Sequence, residues 1–206
     1  MTPSDVRKLK NQLRKTARSS RSKQKNRDEL SRRIVGAFMA MPEYATASMV
    51  MFYVDARTEV QTRHDLAAAL DSDKTIVVPW CNVNGELELF RLESIDELQI
   101  GMYQIPEPRG ELRQLPEKQV DVEEPDLIMV PGIGFDERGA RIGHGNGYYD
   151  KLLRRARADA SFIALAFECQ MFEEIPVNAH DVFMDKIITE DRICVGQGRR
   201  IVRSSD

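Results

Sequence analysis

Pro131-Gly132-Ile133-Gly134-Phe135-Asp136-Glu137-Arg138-Gly139-Ala140-Arg141-Ile142-Gly143-His144-Gly145-Asn146-Gly147-Tyr148-Tyr149-Asp150 is the stretch that organises this 206-residue chain. The apolar run Leu127-Ile128-Met129-Val130 leads into it and reads as a buried strand. A helical pattern from Tyr148 to Arg157 leads out of it. A glycine-rich loop between a strand and a helix N-terminus exposes backbone N–H groups, and the helix dipole adds partial positive charge, so the combination suits a phosphate. The spacing is neither that of a P-loop nor Gly-x-Gly-x-x-Gly. Glycines alone leave a plain tight turn as good a reading as a phosphate nest. Arg141 before the loop adds a bidentate cation, and Asp150 after it adds a carboxylate able to cap the helix or hold Mg²⁺. Cation, nest and carboxylate within ten residues suggest a metal–nucleotide site.

Outward from the loop, apolar runs alternate with helical patterns. Strands are expected over 48–54, 76–79, 86–92 (after an Asn84-Gly85 turn), 127–130, 162–167 and 185–190. Helices are expected over 4–18 with Ser4 as N-cap, 26–41 ended by Pro42, 62–70 and 148–157, with one helical turn at 94–98. Residues 19–25 read as a loop and 109–124 as an exposed connection. This alternation predicts an α/β fold with a largely parallel central sheet. The length predicts a single domain, 1–206, with residues 1–25 as a basic helical arm.

The net charge of −3 hides an asymmetry. Residues 1–33 carry 12 Lys/Arg against three acids, near +9, and the remainder lies near −12. Such an arm could bind nucleic acid, deliver cations to an anionic ligand, or be a solvated helix. No run approaches the ~18 apolar residues of a membrane span, and the charged N-terminus has no apolar signal core, so a cytoplasmic protein is expected. Cys81, Cys169 and Cys194 lack metal-ligand spacing and read as free thiols.

The pattern Pro-Gly-x-x-Phe-Asp-x-x-Gly-x-Arg-x-Gly-x-Gly-x-Gly-Tyr-Tyr-Asp resembles the signature of the 5-formyltetrahydrofolate cyclo-ligase (methenyltetrahydrofolate synthetase) family. Lys10-x-x-Leu13-Arg14, the 52–62 segment, Gly101 to Pro108, and Ile175-Pro176 to Asp181 resemble further family blocks, in family order. The resemblance implies a three-layer αβα sandwich. It implies conversion of ATP and 5-formyltetrahydrofolate to 5,10-methenyltetrahydrofolate, ADP and phosphate, with Mg²⁺ as cofactor. By the same resemblance Lys10, Asn11, Gln12, Leu13, Arg14, Arg141, Ile142, Gly143, His144, Gly145, Asn146, Gly147, Tyr148 and Tyr149 meet ATP. Arg14, Val54, Glu59, His144, Gly145, Asn146, Gly147 and Tyr148 meet the folate. Arg14 and Arg141 act in catalysis, and Asp150 and Asp181 hold the metal. On residue type alone, Glu59 could equally be a carboxylate at a helix N-terminus. Tyr103 could flank the folate or simply pack in its loop, and His64 and His180 read as solvated. The implied partners are ATP and a reduced folate, with or without a polyglutamate tail, acting on a monomer without nucleic acid or membrane. Asn146 and His144 depart from the family's usual glycine or lysine, and arginine or aromatic residue. Outside this family, the features also suit a nucleic-acid-binding arm, or a sugar-phosphate isomerase or coenzyme A transferase that keeps the nest without consuming ATP.

Overall fold

The computed structural model describes residues 2–101, 104–179 and 181–199. Tyr103 and His180 lie outside them. Helix α1 (Pro3–Lys23) starts at Thr2, not Ser4. Thr2 and Asp5 form a reciprocal capping box, satisfying two of the N–H groups left open at a helix start. The helix also continues through the Ser19–Lys23 stretch expected to be a loop, and its inner face explains why: Arg21 is buried and hydrogen-bonded there. Helix α2 (Arg27–Met39) follows, and Pro42 then opens a short helix α3 (Pro42–Thr46), its missing N–H costing nothing in a first turn.

The strands are β1 (Met49–Met51), β2 (Thr75–Cys81), β3 (Leu87–Leu92), β4 (Leu98–Ile100), β5 (Pro106–Pro108), β6 (Gln119–Val120), β7 (Leu127–Val130), β8 (Gly134–Asp136), β9 (Arg141–Ile142), β10 (Ser161–Leu165), β11 (Met171–Phe172), β12 (Lys186–Ile188) and β13 (Ile193–Val195). Helices α4 (Arg63–Leu70) and α5 (Tyr148–Arg155) complete the set. An eight-stranded sheet runs β13-β12-β10-β7-β1-β2-β3-β6. The five strands from β12 to β2 are mutually parallel, and β13, β3 and β6 add antiparallel edges.

Neighbouring residues of each strand face opposite ways. Val50, Ile76, Val78, Met129 and Ile163 pack with Ile34, Val35 and Phe38 of α2 and Leu66 of α4. Met51, Val77, Ile128, Val130 and Phe162 pack with Leu152 and Leu153 of α5 on the other face. Helices thus cover both faces of the sheet, giving the expected three layers.

Three other expectations are corrected. The strand proper is Met49–Met51, with Ser48 and Phe52 each adding one backbone hydrogen bond to β2; Tyr53 and Val54 stay buried beyond its end. The 109–124 connection is not exposed throughout, because Lys118, Val120 and Val122 are buried and β6 pairs with β3. The central stretch is not a single loop, since β8 and β9 form an antiparallel hairpin between β7 and the glycines.

Chain order fixes where a ligand can sit. From β1 the chain moves to β2 on one side, whereas β7, β10 and β12 lie successively on the other. The order in which strands are added therefore reverses between β1 and β7, and such a switch leaves a crevice at the carboxyl ends of those two parallel strands. Those ends lead into the 52–62 segment and the 131–147 loop.

Candidate active site

Helix α1 contributes one inward face. Lys10, Arg14, Ala17 and Arg21 are spaced four, three and four apart, so they stack along one stripe. Lys10, Ala17 and Arg21 are buried, whereas Arg7, Lys8, Lys15 and Arg18 are exposed. Lys10 Nζ lies 2.5 Å from Asp181 Oδ2, which also accepts from the Asn178 backbone N–H at 2.6 Å. Arg14 Nε donates to the Gly143 carbonyl at 2.8 Å and another of its nitrogens to Asn11 Oδ1 at 2.7 Å. Burial, then the neighbouring Arg18 charge, pulls Arg14 below the usual guanidinium range, and Asp181 opposes that. Asn11 and Gln12 are exposed, and Leu13 packs with Ala140, Ile142 and Ile175. Asn11 thus meets the loop through Arg14.

The β8–β9 hairpin delivers Arg141, whose side chain is only 4% exposed. Arg141 Nη2 donates to Asp150 Oδ1 at 2.7 Å, Nη1 to the Pro131 carbonyl at 3.3 Å, and the guanidinium lies 5.8 Å from the centre of the Tyr149 ring. Its buried Nε has no hydrogen-bond partner among the described residues. A buried donor left open is costly in a finished structure and suits an anion that arrives later. Asp150 does not cap α5; it holds Arg141.

The tip of the glycine loop, His144 to Asn146, is exposed. Gly145 and Gly147 have φ of 111° and 71°, backbone that residues with a Cβ rarely adopt. A Cβ on Gly145 would stand 3.8 Å from the Arg14 guanidinium, and one on Gly143 3.0 Å from Arg141 Nη1. Gly147 is the N-cap of α5 and supplies no side-chain cap, so the helix's first N–H groups keep their capacity for an anion.

Across the crevice, Glu59 Oε2 accepts from the Ala56 N–H at 3.0 Å, and Glu59 Oε1 lies 3.6 Å from Nε2 of the half-exposed His144. Glu59 is not the carboxylate that serves α4. Asp55 does that, accepting from the N–H groups of Thr62 and Arg63, both at 3.0 Å. Val54 is buried beside this turn. Tyr149 packs against both core clusters, and burial pushes its hydroxyl well above the ordinary range. Tyr148 packs at the Gly85 turn. His64 pairs with Asp28 on the surface instead.

The structure therefore gathers Lys10, Arg14, Arg141, the glycine loop, Asp150, Asp181 and Glu59 around one crevice. A Mg²⁺ fits the donor chemistry. Asp150 and Asp181 are hard oxygen ligands, each with one oxygen engaged by a cation among the described residues. No group of three or more His, Cys, Asp or Glu is placed to hold a metal among the described residues. A pair of carboxylates that leaves the remaining positions to phosphate and water is the usual Mg²⁺ arrangement. Sequence reasoning missed Arg21, Asp55 and Gln170. The first was legible in the 10-14-17-21 spacing.

The family model of 5-formyltetrahydrofolate cyclo-ligases matches residues 4–190. The probable 5-formyltetrahydrofolate cyclo-ligase of Schizosaccharomyces pombe is 31% identical over 199 residues, covering 89% of this chain and 96% of the relative. The mouse 5-formyltetrahydrofolate cyclo-ligase is 29% identical over 162 residues, covering 74% and 78%. The solved 5,10-methenyltetrahydrofolate synthetase of Aquifex aeolicus superposes with a TM-score of 0.79 at 30% identity, covering 93% of this chain and 95% of that one. A match that begins ahead of Lys10 and ends beyond Asp181 takes in every segment that meets at the switch point, and on it the chain belongs to the 5-formyltetrahydrofolate cyclo-ligase family, a family of ligases.

Proposed function

We propose that the crevice binds ATP and 5-formyltetrahydrofolate and closes the folate's five-membered ring to give 5,10-methenyltetrahydrofolate, ADP and phosphate. The observation that carries this is the set of preorganised cations, Lys10, Arg14 and Arg141, around an uncapped glycine-rich helix start, in a family that acts as cyclo-ligases.

The chemistry follows from a poor leaving group. The N5-formyl oxygen attacks the γ-phosphorus and ADP departs, leaving that oxygen phosphorylated on a carbon bonded to N5. N10 attacks that carbon and loses its proton, and phosphate leaves with the original oxygen. The protein's task is to hold the two ligands in line and to offset charge on the phosphoryl group. Lys10 sits on Asp181 and Arg141 on Asp150. On binding, Lys10 exchanges Asp181 for phosphate oxygens, Arg141 keeps Asp150 and Pro131 and offers its open Nε to a phosphate oxygen, and Arg14 follows the loop through the Gly143 carbonyl. Asp150 and Asp181 would hold Mg²⁺ through the oxygens that their cations leave free. Mg²⁺, when bound, neutralises phosphate charge that the arginines alone leave exposed. Glu59 accepts hydrogen bonds from the pterin N–H groups, with Val54 against the ring. The protein acts in this reading as a cytoplasmic monomer.

Mixing the protein with 5-formyltetrahydrofolate, ATP and Mg²⁺ and following the methenyl absorbance tests this. The band should grow only with all three present, and Asp150→Ala should abolish it. Absence of the band from a folded, ATP-binding protein would refute the folate assignment and leave the nucleotide site standing.

A further inference from the structure

The folate-side carboxylate sits on a turn that its own hydrogen bonds only partly define. Glu59 and Ala56 close the turn on each other, through Glu59 N–H to the Ala56 carbonyl and Ala56 N–H to Glu59 Oε2, both at 3.0 Å. Arg57, at its apex, has φ of 54°, unusual for a residue with a Cβ. What ties this turn to the rest of the site is Arg21, a residue 4% exposed and two turns beyond Arg14 on the same face of α1. Its Nε donates to Thr58 Oγ1 at 2.9 Å, and its Nη1 to the Gly132 carbonyl at 3.1 Å. The guanidinium bridges the turn that presents Glu59 and the end of β7, and α1 itself carries Lys10 and Arg14 to the phosphates. Burial lowers the Arg21 guanidinium from its usual range, and the Glu59 charge opposes this.

We propose that Arg21 is a positioning residue for the folate, fixing the Glu59 turn relative to the nucleotide loop through the Thr58 hydroxyl; this rests on the folate role given to Glu59 above. The two ends of the bridge are not equally dependent on it. The Gly132 carbonyl also accepts from Gln170 Nε2 at 3.0 Å, which braces Ile133 as well at 2.9 Å. The strand end keeps a donor when Arg21 is gone. The Thr58 hydroxyl loses its guanidinium and the turn loses its tie to α1. Loss of Arg21 therefore falls on the folate more than on ATP.

Steady-state kinetics on the full chain, with each substrate varied at saturation of the other, tests this in Arg21→Lys, Arg21→Ala and Thr58→Val. Thr58→Val removes the acceptor while leaving the buried charge and its Gly132 bond, so it stays informative if Arg21→Ala fails to fold. Thr58→Val should raise the folate KM roughly tenfold, the size of one hydrogen bond to a charged group, with the ATP KM unchanged to within about twofold, and Arg21→Ala, which also loosens α1, should raise the folate KM by at least as much and by more than the ATP KM. Arg21→Lys keeps the charge but loses the fork, and should recover part of the Arg21→Ala loss. A folate KM unchanged in Thr58→Val, or equal rises in both KM values, overturns the positioning role and leaves Arg21 as a fold-stabilising residue. A wild-type protein that makes no methenyl product overturns the folate reading itself, which is a separate result.

Discussion

Arg141 enters the site already held on three sides, by Asp150, the Pro131 carbonyl and the Tyr149 ring, and keeps one donor open. A guanidinium locked in this way pays its ordering cost on folding, so it can meet a phosphoryl group without rearranging at the moment of reaction. Arg141→Ala should therefore lower kcat by about 10²–10³-fold, the loss typical of removing one preorganised donor from a water-excluded site. Arg141→Lys should recover little of it, because an ammonium cannot keep Asp150 and Pro131 while presenting a further donor. Rapid-mixing measurement of a single turnover separates this from product release, and a single-turnover rate within about twofold of wild type would remove Arg141 from the chemical step. The glycine loop, Arg141 and Asp150 were legible because they lie within ten residues of one another. The pairing of Lys10 with Asp181 was not, because it spans 171 residues and no local pattern encodes it. Arg21 is not singled out by the sequence, because an arginine in a basic segment looks like its neighbours until the spacing to Arg14 is followed down the helix.

Among elements, α1 is held differently from the rest. Neither of the two large core clusters contains an α1 side chain, whereas α2 places Ile34, Val35 and Phe38 in one of them. Helix α1 docks through Lys10, Arg14 and Arg21, with Val6, Leu13 and Ala17 filling between them. Among these the Lys10–Asp181 ion pair is the one that salt weakens, while Arg14 and Arg21 bond neutral oxygens. Backbone amides of α1 should exchange with solvent faster than those of α2. The gap should widen as ionic strength rises from roughly 0.1 M to roughly 1 M and the screening length falls from about 10 Å to about 3 Å. ATP with Mg²⁺ should narrow it. Equal exchange of both helices at all salt concentrations would mean that apolar packing, not charge, seats α1. The β8–β9 hairpin is anchored by backbone. Gly139 has φ of 92°, and a Cβ there would stand 2.4 Å from the Met184 carbonyl oxygen. Gly139→Ala should cost about 2–4 kcal/mol in urea unfolding, from the strained φ and the clash together; a loss below about 0.5 kcal/mol would show that the hairpin yields freely. This hairpin escaped the sequence because strands of two and three residues carry no periodicity. The 48–54 run misled for the opposite reason, since Tyr53 and Val54 are as apolar and as buried as a strand but lie beyond its end.

At the scale of the molecule, the parallel sheet was readable from its buried runs, but strand order was not, and order is what places the crevice between β1 and β7. The β12–β13 edge of that sheet is also where acid should act first. Burial alone would raise the carboxyls of Glu43 and Glu168, but hydrogen bonds override it and hold both below the usual range. Lys186 supplies them to Glu43, and Arg192 and Thr189 to Glu168. Lys186 belongs to β12, while Thr189 and Arg192 form the turn into β13. A carboxyl depressed in the folded state stabilises the fold above its unfolded value, about 4.3 for glutamate, and that contribution is lost as pH falls through the folded value. Asp185, beside the same edge, runs the other way. Burial raises it, so its contribution is complete below about 3.9 and is lost as pH climbs through its folded value. The urea midpoint should therefore fall between pH 6 and pH 3, on the order of the window these glutamates define. Glu168→Gln should flatten that fall and Asp185→Asn should steepen it, because one removes the acid-sensitive tie and the other its counterweight. Amide exchange read at the same pH values should show β12 and β13 opening before β1 and β7. Simultaneous opening of all four strands would place the acid-labile groups elsewhere in the fold.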